Sequence, residues 1–234
     1  VVSIPDDDGG CYVGGCFETV SGVPRAGLAH IRADGSLDGW GPVVDGTINC
    51  LVRIGGVMHV GGEFTTMGGQ ARGGLGAIDA STGAILSCIP FSTVTSPGSS
   101  HVDAMATDGV NVFVAGRFTN IGGQARRNLA ALHPVTALAG PFDPDPDGTV
   151  TTLAIGNGLV YAGGSFGTIG GRTHYRLAAL DPQSGEATTW DVGLNSLGSI
   201  STVALQGSKV YLGGWFQQLG GAPRTDIGAV DVTT

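Results

Sequence analysis

Short apolar runs separated by glycine-rich punctuation recur along the whole chain. The pattern is clearest over residues 159–185, LVYAGGSFGTIGGRTHYRLAALDPQSG: an apolar run, a Gly-Gly-x-Phe corner, a second Gly-Gly, another apolar run and a polar turn. Runs this short, bounded by turn residues, predict strands rather than helices. Several are nearly continuous in apolar residues instead of alternating, which predicts strands covered on both faces.

The pattern repeats. Aligned on Phe17, Phe64, Phe118, Phe166 and Phe216, the copies are spaced by 47, 54, 48 and 50 residues. A small pair precedes each Phe (Gly14-Gly15, Gly61-Gly62, Ala115-Gly116, Gly163-Gly164, Gly213-Gly214), and a second glycine follows it by five residues. Arg25, Arg72, Arg126 and Arg224 stand eight after the Phe, with His174 breaking the series. Leu28, Leu75, Leu129, Leu177 and Ile227 then open the next apolar run.

Four strands per copy can be drawn, in blade 4 for example at 149–153, 159–162, a third from Leu177, and a fourth after Ser184-Gly185 that ends near Trp190. The matching ends are Trp40, Cys88 and Phe142. Four short antiparallel strands repeated every 47–54 residues describe the blades of a β-propeller better than a β-helix, whose coils are shorter. The expectation is an all-β, single-domain propeller of five four-stranded repeats, 1–46, 47–100, 101–148, 149–199 and 200–234, or a piece of a larger propeller. The last repeat stops after its third strand, and an unpaired edge invites pairing with another chain, so self-assembly through that edge is expected.

Composition narrows the partners. Glycine supplies 43 of 234 residues, against an ordinary share of about 7%. Eleven cationic residues against nineteen acidic ones give a net charge of −8, and Lys209 is the sole lysine; such a surface repels phosphate backbones, so nucleic acid is not an expected partner. No stretch reaches the roughly 18 apolar residues of a helical membrane span, so membrane insertion is not expected either. The chain opens at Val1 without Met or a leader pattern, as expected of a processed secreted protein or of a segment from a longer one.

The units VYAGGSFGTIGGRTHYRLAALDPQSG, VFVAGRFTNIGGQARRNLAALHP and VMHVGGEFTTMGGQARGGLGAIDASTG resemble delta-60 repeats, a bacterial β-propeller repeat. The resemblance covers nearly the whole chain. It implies a propeller and an extracellular or cell-surface setting in a bacterium, and it supplies no catalytic residues. The departures are Cys16 beside the first corner, His174 in place of Arg, and His133 where Asp79, Asp181 and Asp231 stand.

Repetition separates scaffold from site. Residues present in every blade serve what every blade needs: glycines at corners, the Phe between blades, the Arg tying loop carbonyls or the recurrent Asp, and Trp40, Phe142 and Trp190 in packing. His59 fills the slot of Tyr12, Phe113, Tyr161 and Tyr211 and reads as core. Function belongs where blades differ. The residue before each Phe reads Cys16, Glu63, Arg117, Ser165, Trp215, and all five share one face of the ring. Trp215 is placed to stack on a sugar or to cover the next blade. His174-Tyr175 offers polar contacts to a ligand or a local repacking. The candidate ligand-binding residues are therefore Trp215, His174, Tyr175, Glu63 and Arg117.

Asp143, Asp145 and Asp147 before Gly148 match the first half of a calcium loop, although no later acid completes it, and a proline-stiffened linker is the competing reading. No other cofactor is indicated. The four cysteines Cys11, Cys16, Cys50 and Cys88 have no zinc-like spacing. Cys11 and Cys16 would stand about 16 Å apart on an extended strand, too far to bridge; pairing between repeats stays open. No nucleophile elbow, phosphate loop or metal motif is present, and Asp103 is the sole acid on the first strands, short of the pair that glycoside hydrolysis uses. The leading expectation is a secreted or cell-surface, non-enzymatic structural or protein-interaction module, a subunit of an extracellular assembly. Behind it come a glycan-binding propeller and then a carbohydrate-active enzyme.

Overall fold

The computed structural model describes residues 1–86 and 100–233, and these contain strands, turns and no helix. Five antiparallel sheets follow one another along the chain, each with its second strand in the middle. In blade 4, Thr149–Gly156 pairs with Leu159–Ser165, which pairs in turn with Leu177–Leu180. The fourth strand contributes a single bridging pair: Ile31 with Leu37, Ile78 with Ile85, Leu132 with Ala139, Leu180 with Ala187. In blade 3 Pro141, which has no N–H to extend the ladder, stands two residues after the bridging Ala139. The expected strand end near Cys88 lies outside the described residues.

The turn between third and fourth strands is built by the recurrent Asp, whose carboxylate in blade 4, Asp181, accepts the N–H groups of Gln183 and Ser184. His133 does the same work in blade 3, its Nδ1 accepting from Val135 and Thr136 at 3.2 Å.

The two glycine pairs have different causes. The second pair turns a two-residue ribbon that the sequence pattern did not announce, in blade 4 Thr168–Ile169 against Arg172–Thr173. Gly170 and Gly171 have φ of 58° and 76°, the left-handed values of a tight hairpin turn, and Ser21-Gly22 adopts the same turn in blade 1. The first pair is extended and answers a close approach. A Cβ on Gly164 would lie 2.0 Å from the carbonyl oxygen of Thr149, because a bulge between Val150 and Thr152 turns that carbonyl toward it.

Apolar side chains are buried between blades, not within them. Phe113 and Phe142 of blade 3 pack against Val150, Val160 and Phe166 of blade 4; Tyr161 and Leu177 of blade 4 pack against Val210, Leu212 and Phe216 of blade 5. Blades 1 and 2, and blades 2 and 3, are joined in the same way. His59 is buried in this layer, and burial lowers its pKa to about 4. An aromatic pair packs at three of the four seams: Tyr12 with Trp40, Phe113 with Phe142, Tyr161 with Trp190. No core cluster of the described residues joins blade 5 to blade 1.

The first strands of consecutive blades lie against one another, which puts them on the inside of the curve. Bonds across the seams hold them there: Asn49 Nδ2 donates to the Val102 carbonyl at 3.0 Å, and Thr151 Oγ1 to that of Ile200 at 2.8 Å.

Candidate functional site: the rim of the inner strands

In blades 2 to 5 the exposed residue before the buried Phe ends the second strand, and the ladder places it opposite the start of the first; in blade 1 Cys16 lies two residues beyond the second strand, before the half-buried Phe17. Glu63 faces Thr47, Arg117 faces His101, Ser165 faces Thr149 and Trp215 faces Ser199. With Cys16 these positions are all exposed. They form one rim, on which side chains can vary without touching a seam.

The rim has three sectors. Blades 2 and 3 supply charge. Asp103 occupies the bulge of the blade 3 first strand and lies 3.4 Å from His101 Nε2. Burial raises its carboxyl above the ordinary carboxylate value; His101 pulls against that, Glu63 adds to it and Arg117 opposes it. Glu63, His101 and Arg117 thus all act on Asp103, from two blades. Ser165 and Thr149 make a neutral polar sector on blade 4. Blade 5 is apolar: Trp215 is 65% exposed and Leu197 62%, and both line one shallow cleft with Gln217. Among the described residues, Trp215 belongs to none of the core clusters that fill the seams.

Leu197 sharpens that contrast. The matching residues, Asp45 and Asp147, cap the corner after the Phe. Asp45 accepts the N–H groups of Thr65 and Thr66 at 2.8 Å, and Asp147 those of Gly167 and Thr168. In blade 5 this capping acid is replaced by leucine beside an unmatched tryptophan.

The other candidates do not join the rim. His174 is 3% exposed, and its Nε2 donates to the Thr188 carbonyl at 3.0 Å. Arg25, Arg72 and Arg126 send a guanidinium N–H to the corresponding carbonyls of Asp38, Leu86 and Gly140. His174 therefore replaces arginine in the same scaffold bond, which is the local repacking that the sequence also allowed. Tyr175 is 39% exposed and leans on Gly167 of its own blade.

The three aspartates do not converge either. Asp143 pairs with Arg126 at 3.3 Å, Asp145 with Arg127 at 3.4 Å, and Asp147 caps the corner. No group of three or more acidic, His or Cys side chains fit to hold a metal occurs among the described residues. In this arrangement the segment is a linker held by Arg126, Arg127 and the corner amides, which is the competing reading of the sequence. Cys11, Cys16 and Cys50 are free thiols, half-buried, exposed and buried respectively; Cys88 lies outside the described residues.

One cluster escaped the sequence reading. His30 sits between Asp6 (2.7 Å from Nε2) and Asp38 (3.2 Å from Nδ1) and stacks on Tyr12 with ring centres 4.5 Å apart. The register shows the signal that was available: the same slot holds Ala77, Ala131, Ala179 and Ala229 in the other blades. At the end of the first strands opposite the rim, Asp7 and Arg53 pair at 2.7 Å beside an open cavity of about 500 Å³ lined also by Ile4, Leu51 and Thr107.

An arc of antiparallel blades packed face to face around inner strands defines a β-propeller. A family described as "domain of unknown function (DUF5122) beta-propeller" matches residues 8–39. No curated protein matches the chain. Among solved structures, the computationally designed Ika8 protein is 13% identical, with a TM-score of 0.58 over 98% of this chain and 70% of the design. The extracellular domain of a B. thetaiotaomicron protein described as a one-component system is 12% identical, with a TM-score of 0.58 over 91% of this chain and 24% of its own. The WD40 β-propeller domain of Doa1 is 10% identical, with a TM-score of 0.56 over 89% of this chain and 58% of its own. At these identities the likeness is one of fold.

Proposed function

We propose that the chain is a non-enzymatic, secreted or cell-surface interaction module of bacterial origin, which binds other protein chains through the rim. The observation that carries this reading is the division of labour among the repeats. Positions needed for packing recur in every blade, whereas the exposed position before the Phe differs in all five. A surface that varies on a fixed frame is where binding is placed in a repeat protein. The fold supports it in general terms, since propellers suit interaction roles. The extracellular setting rests on the low charge, the near absence of lysine and the delta-60 resemblance.

A second reading, glycan binding, is favoured by Trp215, an exposed aromatic beside Leu197 and outside every seam; ring faces of this kind stack on the apolar face of a sugar. The two readings separate on a glycan array probed with the wild type and with Trp215→Ala. Binding to a defined glycan that vanishes in Trp215→Ala supports the lectin reading. Absence of glycan binding, with a surface protein of the source cell cross-linked through Glu63 or Arg117 positions, supports the protein-interaction reading. Loss of neither activity in a triple Glu63→Ala, Arg117→Ala, Trp215→Ala variant that melts as the wild type does would refute the rim as the site. The enzyme reading is the weakest, because the inner strands present Asp103 without a second positioned acid; hydrolysis abolished by Asp103→Asn would revive it.

A further inference from the structure

Among the described residues, the two ends of the arc present uncovered halves of one kind of interface. In blade 4, Thr152, Ala154, Tyr161, Leu177 and Ala179 face blade 5 and are buried or nearly so. The matching residues of blade 5 are Thr202, Ala204, Tyr211, Ile227 and Ala229, and all five are exposed. Tyr161 is 1% exposed and Tyr211 42%; Leu177 is 1% exposed and Ile227 74%.

Blade 1 shows the other half. Its Cys11, Val13, Phe17, Val20 and Ile31 correspond to Val160, Ala162, Phe166, Ile169 and Leu180, which are buried against blade 3. In blade 1 the same positions are only half-buried. None of the ten residues on the two open faces is charged. Patches of this composition, large and contiguous, mark interaction surfaces.

We propose that the open face of blade 5 docks the open face of blade 1 on a second copy of this chain. The four internal seams are the argument, because each joins these same two half-interfaces and each excludes water from its aromatic and aliphatic core. A fifth seam formed between copies continues that interface with residues already in place. The contact uses a whole blade face, so it goes beyond an unpaired strand edge. It is heterologous, leaving one face free at each end of a dimer, so growth continues head to tail. The inference stands apart from the rim: a strict monomer that still binds through its rim would sink this proposal and leave the rim reading intact.

The test is sedimentation or light scattering of the 234-residue chain over a wide concentration range, with Ile227→Glu and Val20→Glu variants. Both substitutions fall at residues that are exposed or half-exposed, and far-ultraviolet spectra and melting confirm folding. The wild type is expected to rise above the 23.4 kDa of one copy as concentration increases. Each variant is expected to stay at one copy. Their equimolar mixture has one intact blade 5 face and one intact blade 1 face, and is expected to stop at two copies. A wild type at 23.4 kDa throughout, a Val20→Glu variant that assembles like the wild type, or a mixture that stays monomeric would each overturn the proposal. Closure of blade 5 onto blade 1 within one chain would register as the first of these.

Discussion

Blades 4 and 5 are written in nearly the same words and meet different fates. Both place a tyrosine on the second strand and an aliphatic at the start of the third, yet Tyr161 and Leu177 are sealed while Tyr211 and Ile227 face outward. The difference lies in the neighbouring blade, since blade 5 packs over the first pair and no described blade packs over the second. A blade thus supplies its own ladder and turns, and the burial that stabilises it comes from its neighbour. Sequence pattern specifies which face will be apolar. It does not specify that the face is covered.

The sharpest way to break this comparison is to truncate matched residues. Leu177→Ala should cost about 2–5 kcal/mol, the usual range for a buried leucine. Ile227→Ala should stay within about 0.5 kcal/mol, as surface changes do. Denaturant titration reads both, and equal losses would mean that blade 5 is covered in solution. The glycine before the corner provides the control. Gly164→Ala and Gly214→Ala push a Cβ to 2.0 and 2.2 Å from the carbonyl oxygens of Thr149 and Ser199 within their own blades. Both should destabilise by about 1–3 kcal/mol or more, and alike, because overpacking strain needs no neighbour.

Smaller effects are expected at the corner. His174→Ala removes the bond to the buried Thr188 carbonyl and should cost about 1–2 kcal/mol, whereas His174→Arg should recover most of it. Arg224→Ala, at the exposed matching position of blade 5, should be nearly silent in the same melting experiment. The smallest effect is in acid. Burial pushes the Asp45 carboxyl up, but bonds from Thr65 and Thr66 outweigh it and hold its pKa at about 2. An unfolded aspartate titrates near about 3.9, so this corner stabilises the fold above about pH 4 and the contribution disappears as pH falls through 2. Asp45→Asn should lower stability at neutral pH and flatten that acid slope. Blade 5, with Leu197 in the slot, has no such slope to lose.

The blades were legible because their periodic residues answer local needs: glycine where a carbonyl crowds or φ is positive, Asp where a turn wants an acceptor, Phe where two sheets meet. The rim was legible as a position, exposed in every blade, that holds a different residue in each. His174 allows two readings because a change of residue type suggests a change of role, while imidazole Nε2 and a guanidinium N–H reach the same carbonyl. The three aspartates allow two readings because their spacing says nothing of direction, and Arg126, Arg127 and the corner amides take one carboxylate each. The Asp6–His30–Asp38 cluster was hidden by distance: Asp6 and His30 are 24 residues apart and meet across the second strand of blade 1. Their meeting depends on register, which only the folded sheet displays.

Amide hydrogen exchange, at a dilution where the chain sediments as one copy, addresses most directly the claim that each blade face is buried by its neighbour. Slow exchange is expected along Leu177–Leu180 and much faster exchange along Ile227–Asp231, with protection of the latter rising at high concentration as copies dock. Equal protection of the two strands in the dilute monomer would contradict it.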